Sequence, residues 1–178
     1  MQSPTPQVPG QPAPNSSDID ARLTVELASV VSGARRRAHR DGDQQIDTAH
    51  LLHSLVESDP EVREAFDSGA QVARVLGYLV QRSIGYGLRW QGTVEDSGAV
   101  PVVTEQGPAV AGWSPAALTA MDGALERAAR RGDPQAGGLD LLAALAADRA
   151  CRAVEVLERA GVDTRSLAWR LACACPQA

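Results

Sequence analysis

The sequence predicts an all-α protein built from two similar units of four helices each. Hydrophobic residues make up 44% of the 178 residues, but aromatic residues only 3%. A core of this kind relies on Ala, Leu and Val, which favours closely packed helices over a β-sandwich. Apolar residues also recur at the spacing of amphipathic helices, and a long internal repeat relates the two halves of the chain.

The internal repeat keeps its register through most of each unit. Gly42 matches Gly132 at an offset of 90 (132 − 42 = 90). After the second helix the offset becomes 92, as Gly69 and Gly161 show (161 − 69 = 92). A register sustained in this way indicates a duplicated unit. The leucines that share the offset of 90 are Leu51, Leu52 and Leu55 in the first unit and Leu141, Leu142 and Leu145 in the second.

The first helix is expected to start at Ser17 or Asp18, both of which are good capping residues. Arginines fill its last turns, where the helix dipole favours positive charge, and Gly42 ends it. The sequence therefore predicts one continuous helix up to this glycine. Its apolar face comprises Leu23, Leu27, Val30, Val31 and Ala34.

The remaining helix boundaries follow from capping residues and prolines. Asp47 is expected to cap the second helix, and Asp59 followed by Pro60 to start a short third one. The fourth is predicted over residues 70–84. In the second unit we expect helices from Ser114 to Arg131, from about Gly138, up to Ala160, and after a cap at Asp163.

Four segments follow from this interpretation. Residues 1–17, rich in Pro, Gln and Ser, are predicted to form a disordered tail, and they lack the features of a secretory signal. The first repeat covers 18–84 and the second 113–175. Between them, 85–112 is a linker or a small β-hairpin, because the turn-forming "EDSG" separates two short apolar stretches.

Charge and composition exclude several functions. The net charge of −5 argues against nucleic acid as the main partner. All 17 basic residues are arginine, so a Walker A loop, which needs a lysine, cannot form. No apolar run reaches the roughly 18 residues of a membrane span, and no G-x-S-x-G hydrolase motif occurs. We therefore expect a cytoplasmic protein that is not an enzyme and needs no cofactor.

The repeated pattern resembles the N-terminal (Clp-N) domain of Hsp100/Clp unfoldases, especially the ClpC type. Each copy has an apolar residue followed by Thr or Ser, then the start of a second helix at a fixed spacing. Leu23 and Thr24 lead to Thr48-Ala49-His50, and Trp113 and Ser114 lead to Gly138-Leu139-Asp140. The resemblance covers about residues 20–175 and implies an all-α double repeat that docks substrates or adaptors. Because ATPase modules are absent from the sequence, we expect a standalone Clp-N protein.

The resemblance also implies a ligand site, which this sequence alters. In the ClpC type, a glutamate in each repeat holds the guanidinium of phosphoarginine. Ala49 and Leu139 stand at those positions, and neither can replace a carboxylate that matches the guanidinium fork. Losing such a partner costs roughly 2–5 kcal/mol per site. The sequence therefore argues against phosphoarginine, unless another acid such as Asp140 takes over.

We expect a protein- or peptide-binding module that acts on a Clp unfoldase–protease system, as an adaptor or as a decoy for ligands such as cyclic peptide antibiotics. The candidate binding residues are Leu23, Thr24, Ala49, Trp113, Ser114 and Leu139, with Trp113 also suited to a core position. An arginine cluster, either solvated or facing an acidic partner, comprises Arg35, Arg36, Arg37 and Arg40. The alternative function is a thiol or metal sensor that uses Cys151, Cys173, Cys175 and His50, although the spacing predicts no metal site.

Overall fold

A computed structural model describes residues 19–43, 45–83, 95 and 112–173. The predicted tail at 1–17 lies outside the described residues. So does the predicted hairpin at 85–112, apart from Glu95 and Gly112. None of the helices in the described ranges combines the length and apolarity that a bilayer crossing requires.

The first repeat contains the four helices that the sequence predicts. They are α1 (Val25–Asp41), α2 (Thr48–Ser58), α3 (Pro60–Glu64) and α4 (Gly69–Ser83). Asp47 caps α2 and Asp59 caps α3, as expected. Gly42 ends α1 with a φ of 76°, a left-handed conformation that glycine adopts without strain.

The prediction of one continuous first helix was wrong. Ile19 and Asp20 are helical, but a turn at residues 21–22 interrupts the helix. α1 begins at Val25, and its cap is Thr24, whose Oγ1 accepts a hydrogen bond from the Leu27 amide at 3.2 Å. Leu23 lies in a short parallel β-bridge instead of a helix. The apolar period continues across this break, which is why periodicity alone placed the boundary too early.

The second repeat has the same architecture. Its helices are α5 (Pro115–Arg130), α6 (Gly138–Ala147), α7 (Arg152–Arg159) and α8 (Thr164–Cys173). Ser114 caps α5 through its side chain, with Pro115 at the first helical position. The Asp163 carboxylate accepts from the Ser166 amide at the start of α8, at 3.0 Å. The all-α double repeat predicted from the sequence is confirmed.

Two isolated β-bridges join the repeats through backbone hydrogen bonds. Leu23 of the first repeat pairs with Ala136 of the second, and Trp113 of the second pairs with Ile46 of the first. The two bridges are equivalent under the offset of 90, since 113 − 23 and 136 − 46 both equal 90. The segment before each repeat's first helix is therefore held by the loop before the other repeat's second helix.

The two repeats share one hydrophobic core. α2 packs against α1, and α6 packs against α5. These two central helices also contact each other, while α2 contacts α7 and α3 contacts α6 across the repeats. The leucines that carried the repeat in sequence are all fully buried at its centre: Leu51, Leu52, Leu55, Leu141, Leu142 and Leu145.

Gly138 at the start of α6 is required by a close approach of Asp59. A Cβ atom at position 138 would overlap Asp59 Oδ2 and would lie 3.1 Å from a Val62 methyl group. The carboxylate cannot simply move, because it caps α3. We expect Gly138→Ala to lower the free energy of unfolding by about 1–2 kcal/mol through the lost cap and overpacking, as measured by chemical denaturation.

The control for Gly138→Ala is Gly77→Ala in the middle of α4. A Cβ at position 77 meets no atom within 4 Å. That substitution should be neutral or stabilising, because alanine is the better helix former. In an Asp59→Ala background, Gly138→Ala should cost much less than in the wild type. Equal costs in both backgrounds would contradict the clash with Asp59.

Candidate functional site

Two equivalent junctions form where the starts of three helices meet. In one, Thr48 at the start of α2 lies beside the Ser114 cap of α5 and the start of α7. In the other, Gly138 at the start of α6 lies with Thr24, the cap of α1, and with the start of α3. Gly138 and Thr24 are the partners of Thr48 and Ser114 under the offset of 90 (138 − 48 and 114 − 24). The two junctions have become different in chemistry.

The first junction holds the carboxylate of Glu95, and we call its donors Thr48, Ser114 and Arg152 the Glu95 cradle. The Thr48 amide donates to Oε2 at 2.8 Å, and the Ser114 hydroxyl donates to the same oxygen at 3.0 Å. The Arg152 amide donates to Oε1 at 2.6 Å, and the Thr48 hydroxyl also donates to it. Both oxygens are thus satisfied, although Glu95 is 5% exposed.

Thr48 connects this carboxylate to the start of α7. Its hydroxyl donates to Glu95 and accepts from the Ala153 amide at 3.0 Å. Cys151, the capping residue of α7, makes no side-chain cap. Free amides at a helix start need an acceptor when they are buried. Here Thr48 and Glu95 supply the acceptors that Cys151 does not.

A buried ionic cluster lies next to the cradle, around Asp47. The carboxylate accepts from the His50 amide at 2.9 Å, from the Arg82 guanidinium and, at 2.7 Å, from Arg152. Burial by itself raises the pKa of Asp47, but hydrogen bonding with His50 and the charge of Arg82 outweigh it. The net pKa lies well below the ordinary carboxyl value. Because Arg152 belongs to the second repeat, the cluster also joins the repeats.

His50 has a structural role in this cluster. Its Nδ1 accepts from the Asp47 amide at 3.1 Å, which completes a reciprocal capping box at the start of α2. Asp43, Asp47 and His50 lie close enough together to hold a cation. Arg82 contacts both carboxylates, however, and Arg152 contacts Asp47 as well. The positive charge that a cation would bring is already supplied by the two arginines.

The second junction opens into a cavity of about 490 Å³, which we call the Thr24 pocket. It combines apolar side chains with both signs of charge. Arg131 binds the Asp140 carboxylate through two nitrogens and reaches Asp133 at 2.9 Å. The pocket is lined by Thr24, Glu61, Arg127, Arg131, Asp133, Pro134, Gln135, Gly137, Gly138, Leu139, Asp140 and Leu171.

Asp140 is committed to interactions within its own repeat. One carboxylate oxygen accepts from the Gly137 amide at 3.1 Å, in addition to the pair with Arg131. Burial raises the pKa of Asp140. The hydrogen bonds from Arg131 and Gly137 and the charges of Arg131 and Arg127 lower this pKa by more, so the net shift is downward. Taking over the missing glutamate's role would require Asp140 to leave these partners.

The structure brings two of the six candidate binding residues to an open surface. Thr24 and Leu139 both line the Thr24 pocket. Ser114 lies in the Glu95 cradle and is 1% exposed. The other three are buried in the shared core, two of them at the β-bridges: Leu23, Ala49 and Trp113.

The arginine cluster lies along α1. Arg37 forms an ion pair with Glu57 of α2, and Arg40 approaches Asp41 at 3.7 Å. Arg35, Arg36 and Arg40 are exposed. An acidic partner for this face remains a prediction.

The structure separates the cysteines. Cys151 is buried beneath the cradle, and burial raises the pKa of its thiol to about 11. Cys173 is exposed near the end of α8, and Cys175 lies outside the described residues. Because the thiolate is the reactive form, Cys151 is poorly suited to sensing.

Solved structures share this arrangement of helices. The N-terminal domain of the chaperone ClpD from Arabidopsis thaliana matches with a TM-score of 0.57 and 16% identity, over 89% of this chain and 97% of that one. The Hsp104 N-terminal domain from Candida albicans matches with a TM-score of 0.57 and 14% identity, over 84% and 88%. This chain has the fold of a Clp N-terminal domain.

A third matching structure comes from a structural investigation of a malarial protein secretion system. Its TM-score is 0.60 and its identity 15%, over 86% of this chain and 94% of that one. No protein-family profile and no curated protein sequence matches the chain. At such low identity the likeness concerns the Clp-N fold alone, and the roles of individual residues depend on the geometry above.

Of the residues that define the cradle, Ser114 alone is selected from the sequence. Glu95 is placed in a hairpin turn, and Thr48 and Arg152 are not selected as binding residues. Glu95 is 47 positions from Thr48 and 57 from Arg152 along the chain. No periodic pattern connects residues at such distances. The one available signal was the weak cap at Cys151, which leaves the start of α7 in need of an acceptor.

Proposed function

We propose that this protein is a non-enzymatic module that binds a protein or peptide ligand in a Clp unfoldase–protease system. The observation that carries the proposal is an open pocket at the junction of two repeats with the fold of a Clp N-terminal domain. Pockets with apolar walls and a few placed polar groups are the usual form of a ligand site.

The lining of the Thr24 pocket suits a peptide. Leu139 and Leu171 offer apolar contact, while Glu61 and Asp133 add negative charge to the wall. Thr24 and Gln135 add polar groups, although the side-chain amide nitrogen of Gln135 already donates to the Leu23 carbonyl at 2.9 Å. An interface with an apolar centre and a polar rim is typical of peptide recognition.

The same geometry argues against phosphoarginine as the ligand. The Thr24 pocket has Leu139 where the resemblance implies a guanidinium-binding glutamate, and the nearby Asp140 is held by Arg131. At the first junction Ala49 is fully buried and Glu95 occupies the neighbouring helix starts. At neither site does a free carboxylate stand at the position where the resemblance implies the guanidinium-binding glutamate.

Two versions of this function differ in the ligand. As an adaptor, the module binds a component of the Clp unfoldase or protease. As a decoy, it captures ligands of the unfoldase's own N-domain, with cyclic peptides as one candidate class. Both versions use the Thr24 pocket, so one variant tests them together.

The experiment is a pull-down from native cytosol with the tagged chain, in parallel with Leu139→Glu. The added charge in the pocket wall should reduce recovery of a Clp component at least about ten-fold. Val80→Glu makes a similar change on α4, where Val80 is 49% exposed and lies outside the pocket lining. It should bind as the wild type does.

If both variants retain the partner, the ligand does not use the Thr24 pocket. If the wild type recovers no Clp component, the adaptor version is wrong. The decoy version is then tested by titrating a cyclic peptide into the wild type and Leu139→Glu. Equal binding to both proteins, or to neither, would count against it.

The sensor alternative receives no support from the geometry. The candidate cation cluster of the described residues contains Asp43, Asp47 and His50 but no cysteine. Cys151, which the sensor would need, is buried with a raised pKa.

A further inference from the structure

We propose that the Glu95 cradle is a receptor for acidic side chains, and that Glu95 is its resident ligand. A glutamate or aspartate of a bound peptide would take the place of the Glu95 carboxylate on the same four donors. This inference rests on the proposed peptide-binding function and adds a second site with a defined ligand chemistry. Within the chain, Glu95 then acts as a competitor of the peptide.

The cradle is assembled from three separate parts of the fold. Thr48 is the first residue of α2, Ser114 caps α5, and Arg152 is the first residue of α7. The donors of the cradle therefore come from both repeats. The side chains of Thr48 and Ser114 are almost completely buried. The positive ends of α2 and α7 both point at the bound carboxylate, and this favours an anion.

The donors match a carboxylate more closely than a phosphate. Each of the two Glu95 oxygens accepts two hydrogen bonds: Oε2 from the Thr48 amide and Ser114, and Oε1 from the Arg152 amide and the Thr48 hydroxyl. A phosphate would bring a third terminal oxygen, whereas the four donors seen among the described residues are shared between two oxygens. The two nearby guanidinium groups, of Arg82 and Arg152, both bind Asp47.

The second junction shows how the same fold manages without such a ligand. Asp59 corresponds to Cys151 at the offset of 92 (151 − 59 = 92). Its own carboxylate accepts from the Glu61 and Val62 amides and caps α3. Gly138, in the place of Thr48, leaves room for it. The first junction instead has an uncapped helix and takes its carboxylate from Glu95, which belongs to neither repeat's helices.

The first test is chemical rescue of full-length Glu95→Ala, in which the shortened side chain leaves space in a polar site. Sodium propionate carries the end of a glutamate side chain. It should raise the thermal unfolding midpoint of Glu95→Ala by several degrees and that of the wild type much less, since only the variant has a vacant cradle. Propionamide and sodium chloride at matched concentrations are the controls for shape and ionic strength. Equal effects of propionate and propionamide would overturn the proposal.

The second test measures the peptide itself. Acetyl-Ala-Glu-Ala-amide should bind Glu95→Ala at least about ten-fold more tightly than it binds the wild type, and about ten-fold more tightly than the Gln-containing peptide does. Glu64→Ala removes an exposed glutamate on α3 and should behave as the wild type. If propionate rescues but the Glu and Gln peptides bind alike, the cradle is only a helix cap and the receptor proposal fails.

Two further arms keep the test decisive. Should Glu95→Ala not fold, Glu95→Gln keeps the size of the side chain while removing its charge, and the Glu peptide should still bind it more tightly than the wild type. Inorganic phosphate that binds Glu95→Ala as well as propionate does would contradict the carboxylate preference. None of these measurements contains a Clp component, so their failure is distinct from a failed pull-down through Leu139.

Discussion

Asp47→Asn is expected to lower the free energy of unfolding by about 3 kcal/mol, the low end of the range for removing one member of a buried ion pair. Asparagine still caps a helix, so α2 keeps its start. The loss comes from leaving Arg82 and Arg152 without the carboxylate that joins them. Arg82 retains Asp43 at 3.4 Å, which limits the effect. Denaturant unfolding of both proteins at neutral pH measures the difference.

Asp43→Asn is the matched control for Asp47→Asn. Its carboxylate is 31% exposed and contacts Arg82 at 3.4 Å and His50 Nε2 at 3.2 Å, without the buried pair of guanidinium groups that Asp47 joins, so the expected loss is below about 1 kcal/mol. The pKa of Asp47 is lowered in the fold, so its contribution is fully present above the ordinary pKa of 3.8 and disappears as the pH falls further. Similar losses from the two variants would contradict the central place of Asp47.

The protein is expected to lose about 2 kcal/mol of stability between pH 7.5 and pH 4.5 because of His53. Burial, followed by the charge of Arg37, lowers the pKa of this imidazole from 6.5 to about 4. Between these two values His53 binds a proton in the unfolded chain but not in the folded chain, so stability falls as the pH drops from 6.5 towards 4. Such a shift corresponds to at most about 3 kcal/mol, and screening by nearby solvent reduces it.

His53→Gln should flatten this pH dependence, whatever its stability at neutral pH. Denaturant unfolding at several pH values between 7.5 and 4.5 measures the slope for each protein. His39→Gln makes the same chemical change at an exposed position of α1 and measures the effect of replacing a histidine outside the core. If His53→Gln loses stability with falling pH as steeply as the wild type, another group is responsible.

The helices could be predicted because their signals are local. Asp47, Asp59 and Ser114 cap helices from positions that the sequence marks directly, and Pro60 and Pro115 follow two of them. The start of α1 could not be placed, because the apolar spacing in the sequence continues through Leu23. In the structure Leu23 forms a β-bridge to Ala136 instead of a helical turn. That bridge depends on a residue more than a hundred positions away.

The candidate site could be predicted only in part. The family resemblance directed attention to Thr24 and Leu139, and these do line one pocket. It gave no reason to select Glu95, since a glutamate within a turn-forming stretch is ordinary in sequence. The contacts of Glu95 depend on three helix starts that only the folded chain brings together. Long-range polar contacts of this kind produce no periodic pattern in the sequence.

The exchanged β-bridges have a consequence for the evolution of the duplicated unit. The Ala136 carbonyl accepts from Thr24, and the Ile46 carbonyl accepts from Ser114, so each repeat completes the backbone of the other. A single ancestral repeat would have lacked both partners within its own chain. Two identical copies could have supplied them reciprocally, as a symmetric homodimer. Joining the two copies in one chain would free the two junctions to diverge, which is consistent with the open pocket at one junction and the enclosed Glu95 carboxylate at the other.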